Sequence, residues 1–139
     1  VRKVEAEFTP DLGSARLARR FADDSLASVD VDADLAVLLV SELATNAVMH
    51  ARTDFIVRVW VNNDRGVRIE VEDENERRPS VAYAPIEATS GRGLQLVQTL
   101  SDAWGVDARQ HGKVVWFELS EQVPDAAKQR SNSEDAFAS

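Results

Sequence analysis

Residues 35–51, Leu-Ala-Val-Leu-Leu-Val-Ser-Glu-Leu-Ala-Thr-Asn-Ala-Val-Met-His-Ala, constrain the fold more than any other stretch. Leu35, Leu38, Leu39 and Leu43 recur at the i, i+3, i+4, i+8 spacing of an amphipathic helix, which predicts a long helix with one buried face. Two polar residues interrupt that pattern. At roughly 100° per residue, Glu42 and Asn46 lie about 40° apart and on the same side as Leu35. An amide on a buried stripe costs about 2–7 kcal/mol without a hydrogen-bond partner, and an ionised carboxylate more. Two arrangements meet that requirement. Either the pair is satisfied by a partly exposed helix edge or by backbone groups of the core, or a ligand or metal completes it. His50, eight residues after Glu42, returns to nearly the same face. A structural role is expected for it, favoured at the helix C-terminus by the macrodipole when the ring is charged.

Composition narrows the choice of ligand. A chain of 139 residues suffices for one domain with its own core. With no cysteine, thiolate metal sites, disulfides and cysteine nucleophiles are excluded, and two histidines make a dedicated zinc site improbable. The net charge of −8 argues against a nucleic-acid surface, which needs clustered Lys and Arg. Neither an apolar run of membrane-spanning length nor a signal-peptide pattern is expected, so the reading is an acidic domain of cytoplasmic type with no membrane partner.

In chain order, residues 1–8 alternate, with Val4, Ala6 and Phe8 on one side, as in a half-buried strand. Thr9-Pro10-Asp11 with Gly13 breaks it. Ser14 is expected to cap a helix to about Leu26 whose inward face carries Leu17, Ala18 and Phe21. Asp30 or Asp32 is expected to cap the central helix. Residues 54–61 and 67–72 read as strands joined by the turn residues Asn62-Asn63-Asp64-Arg65-Gly66. Residues 74–90 lose all periodicity and read as a loop long enough to be a lid or binding loop. Gly91-Arg92-Gly93-Leu94 opens the next helical segment, with Leu94, Val97, Leu100 and Ser101 on one side. Glycines at a helix start leave N–H groups open to an anion. Trp104-Gly105-Val106 is extended, Gln110-His111-Gly112-Lys113 reads as a hairpin loop, and residues 114–119 alternate as a closing strand. Residues 121–139 read as a disordered tail. The expected fold is α+β: a two-layer sandwich with a mixed, mostly antiparallel sheet and helices on one face, over residues 1–120.

The segment Ser41 to Ala51 resembles the N box of the histidine-kinase-like ATPases, the Bergerat-fold superfamily that includes gyrase. Val71-Glu72-Asp73 resembles the start of the first glycine box. Gly91 to Gly105 resembles the second glycine box of the small anti-sigma-factor serine/threonine kinases of bacteria. The resemblance covers about residues 1–120 and implies ATP and Mg2+ as cofactors. It implies Glu42 as general base, Asn46 as magnesium ligand and Asp73 as acceptor for the adenine amino group. Gly91, Gly93, Arg92 and Leu94 would lie at the phosphate lid. It also implies a sigma factor or a phosphorylatable antagonist protein as partner, and a tendency to homodimerise. The sequence departs from the family after Asp73, where Glu74-Asn75-Glu76-Arg77 replaces Asp-x-Gly-x-Gly. Asn75 stands at the first glycine's place and Arg77 at the second. Holding a non-glycine residue left-handed costs about 1–3 kcal/mol, so if binding demands it, affinity is expected to fall roughly 10–100-fold. The alternative expectation is therefore a module that binds a sigma factor or antagonist with weak or no kinase activity.

Overall fold

The computed structural model of the chain describes residues 1–62, 66–76 and 89–122, with the side chains of 89–92 left aside. The order is β1 (Arg2–Phe8), α1 (Ser14–Ser25), α2 (Ala33–Asn46) running into a π-helical turn (Ala47–Ala51), β2 (Phe55–Asn62), β3 (Gly66–Asp73), α3 (Thr89–Leu100), β4 (Ala103–Arg109) and β5 (Gly112–Leu119). The strands form one sheet in the order β1-β2-β3-β5-β4. The α+β class is as expected. The sheet is antiparallel in all its pairings, where some parallel pairing was foreseen. Hairpins impose this on β2–β3 and β4–β5, and the helical connections return the chain reversed for the other two pairs. The expected 121–139 tail lies, from 123 onward, outside the described residues, as do 77–88 of the expected loop and 63–65 of the hairpin turn.

Strand alternation holds as read. Phe55, Val57, Val59 and Val61 of β2 are buried opposite Val71, Ile69 and Val67 of β3, and Val115, Phe117 and Leu119 of β5 continue the same layer. Gly66, at φ +98, closes the β2–β3 hairpin where a side chain would strike the Leu119 carbonyl. The helices close over this apolar face with a stripe of small residues. Ala18 and Ala22 of α1 and Ala36, Leu39, Val40, Leu43 and Ala44 of α2 are all in the core.

That stripe corrects three expectations. Leu17, Leu38 and Leu100, each assigned to an inward face, are 55%, 42% and 42% exposed. Alanine lets helices approach closely, so it takes the contact line and the bulkier leucines go to the edges. Ser14 is the first residue of α1 rather than its cap, and Gly13 is the cap, with no side-chain hydrogen bond. Asp32 does cap α2, its Oδ1 accepting from the Leu35 N–H at 3.1 Å. By length and composition alone the helical run Ala33–Ala51 would pass as a membrane-crossing helix, against expectation. Its place in the core accounts for its apolarity.

The opposite face of the sheet is polar. Arg58 on β2 bridges Glu5 on β1 at 2.9 Å and Glu72 on β3 at 2.8 Å. Burial pulls the guanidinium pKa down, but the hydrogen bonds to Glu72 and Glu5 outweigh it and hold it above its ordinary value. Arg68 lies 4.0 Å over the Trp116 ring, and a Cβ on Gly105 would press into the same ring at 2.6 Å. Cross-strand pairs of this kind fix strand register without a second helical layer.

The single core predicts a large response to truncation at its centre. Phe117→Ala should cost about 3–5 kcal/mol, read as a lower urea midpoint with the denaturant slope unchanged.

Candidate functional site

The site begins on α2. Leu39, Leu43 and Ala44 anchor the helix in the core, and Glu42 and Asn46, one turn apart, emerge half-buried at its margin. Among the described residues neither side chain makes a hydrogen bond or an ion pair. Of the two arrangements left open by the sequence, satisfaction by core backbone is therefore not the one adopted. Immediately after Asn46 the helix widens, the Arg52 N–H donating to the Ala47 carbonyl five residues back at 2.8 Å. Such π turns recur at functional sites. Arg52 then takes a left-handed φ of 58°. The wider turn breaks the 100° phase, and His50 is exposed rather than ranged with Glu42.

The second motif meets the first through Gly93. A Cβ there would stand 3.0 Å from Glu42 Cβ and 3.2 Å from Asn46 Nδ2. The missing side chain lets α3 close on α2 at the two polar residues. The helix begins at Thr89, two residues before the expected opening. Gly91 thus sits in the first turn, where N–H groups lack intrahelical acceptors, and Gly93 lies just beyond. Leu94 is 2% exposed and packs in the core, so any part it takes in binding would pass through its backbone. The Arg92 side chain lies outside the description.

The third part is the end of β3. Asp73 is buried, and its Oδ1 accepts from Lys113 Nζ at 3.0 Å and from the Asn75 N–H at 2.9 Å. The Asn75 carbonyl accepts a second bond from Lys113 at 3.1 Å, and Thr53 Oγ1 accepts from the Glu74 N–H at 3.0 Å. Asn75 does not take the left-handed conformation of the glycine it stands for. Arg52 is the one non-glycine residue with positive φ among those described. Arg77 lies outside them.

Lys113, which sequence analysis placed in a hairpin loop, is the partner that the structure gives Asp73. It is the second residue of β5, in register with Asp73. Gly112 makes this possible, since a Cβ there would fall 1.9 Å from the Asp73 carbonyl oxygen. The signal was available. Lys113 is in phase with Val115, Phe117 and Leu119, and a lysine in step with a buried row implies a buried partner.

A nucleotide with its cation fits what is present. Among the described residues Glu42, Asn46 and Asp73 Oδ2 have no protein partner, and the start of α3 suits an anion. Among the described residues no group of three or more His, Asp or Glu could hold a metal by itself. A magnesium ion would therefore need ligands from beyond the protein, and Asn46 is the residue that the family resemblance would assign to it.

Comparison with known proteins agrees with this geometry. The family model described as "Histidine kinase-like ATPase domain" matches residues 8–119, and the chain belongs to that family. Among solved structures it resembles the crystal structure of the RsbU and RsbW domains of Rv1364c from Mycobacterium tuberculosis. The two share 20% identity with a TM-score of 0.65, over 88% of this chain and 34% of that one. This chain thus spans about a third of its length, and the likeness is one of fold. No curated protein sequence matches.

Gly93→Ala tests the packing of α3 on α2. Alanine gains about 1 kcal/mol of helix propensity, against about 1–3 kcal/mol for overpacking. The melting temperature should fall only slightly, while the Asn46 side-chain amide resonances shift strongly in an NMR spectrum. Unmoved Asn46 resonances would show that the two helices do not meet there.

Proposed function

We propose that this domain is an ATP- and magnesium-dependent protein serine/threonine kinase acting as an anti-sigma regulator in the cytoplasm. Its substrate would be a hydroxyl on an antagonist protein, and its alternative partner a sigma factor. The observation that carries this is the pair Glu42 and Asn46, both without a protein partner among the described residues and held against α3 by Gly93. Family membership supports ATP as the nucleotide. The RsbW domain in the structural neighbour supports the anti-sigma reading.

In this mechanism Asn46 would hold the magnesium ion, and the N–H groups opening α3 would carry phosphate charge. Asp73 Oδ2 accepts from the adenine amino group. Glu42 takes the proton from the attacking serine or threonine hydroxyl as its oxygen bonds to the γ-phosphorus and ADP departs. A magnesium ion held there would supply charge neutralisation for the transferring group. Phosphoryl transfer needs mainly positioning and charge stabilisation, so a small set of residues suffices.

A second reading, sequestration without phosphoryl transfer, is favoured by one observation. The Asn75 backbone that follows Asp73 is tied to Lys113 and lacks the freedom of glycine. One experiment separates the two. Incubation with labelled ATP and candidate antagonists should place phosphate on a serine or threonine. Glu42→Gln should lower that rate by about 10²–10⁴ with ATP affinity little changed, and Asn46→Ala should abolish the magnesium-dependent part of ATP binding. Capture of partner with no phosphate transfer and no nucleotide requirement would establish the sequestering module instead.

A further inference from the structure

We propose that Thr53 is a positioning residue for the nucleotide, its hydroxyl holding the two ends of the site, Asn46 and Asp73, at a fixed span. This rests on the nucleotide-binding reading above and deepens it. The two ends lie on α2 and β3, with the whole of β2 between them in the chain. Phe55 and Asp73 form the last pair of the β2–β3 ladder. Beyond that pair the Glu74 N–H is taken by a side chain instead of a strand, Thr53 Oγ1 accepting it at 3.0 Å. The same hydroxyl donates its hydrogen to the Asp54 carbonyl at 2.9 Å. A hydroxyl has one hydrogen and two lone pairs, so with the hydrogen committed to Asp54 the lone pairs are turned to Glu74.

Thr53 follows directly on the π turn that begins after Asn46, next to Arg52 with its left-handed φ of 58°. The hydrogen bond therefore joins the chain leaving α2 to the residue adjoining Asp73, across a separation of 21 residues. On the other side Lys113 of β5 donates to the Asn75 carbonyl at 3.1 Å. The Glu74–Asn75 backbone is thus strung between the end of the helical layer and the sheet. A ligand that touches one end of the site is indifferent to the span between the ends. A nucleotide bound as proposed touches both, its base at Asp73 and its phosphates beside Asn46 and α3. Its second contact is then intramolecular, and its strength depends on how closely the protein holds the separation.

Calorimetric titration of the whole chain with ATP and magnesium tests this in wild type, Thr53→Val and Thr53→Ser. Valine keeps the shape and β-branching of threonine and removes the hydroxyl, and it should weaken ATP about three- to tenfold, the worth of one neutral hydrogen bond. Serine keeps the hydroxyl and should bind ATP within about twofold of wild type. Adenosine, which reaches the base end alone, should lose less than about twofold in Thr53→Val when followed by NMR titration. On the wild type, the Glu74 amide should exchange more slowly than in an unstructured chain, and more slowly again with ATP bound. Unchanged ATP affinity in Thr53→Val overturns the proposal. Equal losses of adenosine and ATP overturn it by showing a hydroxyl that serves Asp73 alone, and a serine variant as weak as the valine one by showing a packing role for the methyl group. A Glu74 amide that exchanges freely with and without ATP overturns it with no variant needing to fold. Each of these results leaves ATP binding to the wild type intact; failure of the wild type to bind ATP instead removes the proposed function and this inference together.

Discussion

The structure turns on a contradiction that α2 has to resolve. It must bury Leu39, Val40, Leu43 and Ala44 at the centre of the only core described, yet it carries Glu42 and Asn46 on the margin of that same contact. Among the described residues no protein group pairs with either side chain. The helix margin stays half-exposed, and α3 comes in at Gly93 close against both residues. A fold optimised for stability alone would have placed apolar residues there, because an unmet polar group near a core is costly. Half-exposed, the two side chains are within reach of water or, under the proposed function, of a bound nucleotide.

The sheet contributes rigidity from both sides. Its inner rows pack against the helices, and its outer rows are cross-linked by Arg58 and Arg68 to Glu5, Glu72 and Glu118 on neighbouring strands. Individually such exposed pairs are worth little, but as a network spanning several strands they hold register where no second layer does. Asp73 and Lys113, at the ends of adjacent strands, inherit that register. Their alignment is a property of the sheet before it is a property of the site.

How much of this was legible in the sequence depended on which physical effect dominated each element. Strands were readable because period two leaves no ambiguity once a hairpin is set, as in β2 and β3. Helix existence was readable, but helix facing was not. Leu17, Leu38 and Leu100 drew the eye inward, while Ala18, Ala22, Ala36 and Ala44 held the actual contacts. Hydrophobicity ranks leucine first; close helix approach ranks alanine first. At the site, Glu42, Asn46, Asp73 and Gly93 stood out through motif and spacing. Lys113 was hidden because a lysine after a glycine looks like a loop. The π turn after Asn46 has no residue signature in this segment.

That π turn also sets the phase between two kinds of periodicity. An ordinary helical turn through Ala47–Ala51 would use one residue fewer and deliver the chain to Phe55 a position out of step. In a strand, one step exchanges inside for outside, so Phe55, Val57, Val59 and Val61 would face water and Ile56, Arg58 and Trp60 the interior. The widened turn therefore acts as a gear between helix and sheet, and a residue lost from this junction would have to be made up within 52–54 to keep Phe55 facing inward.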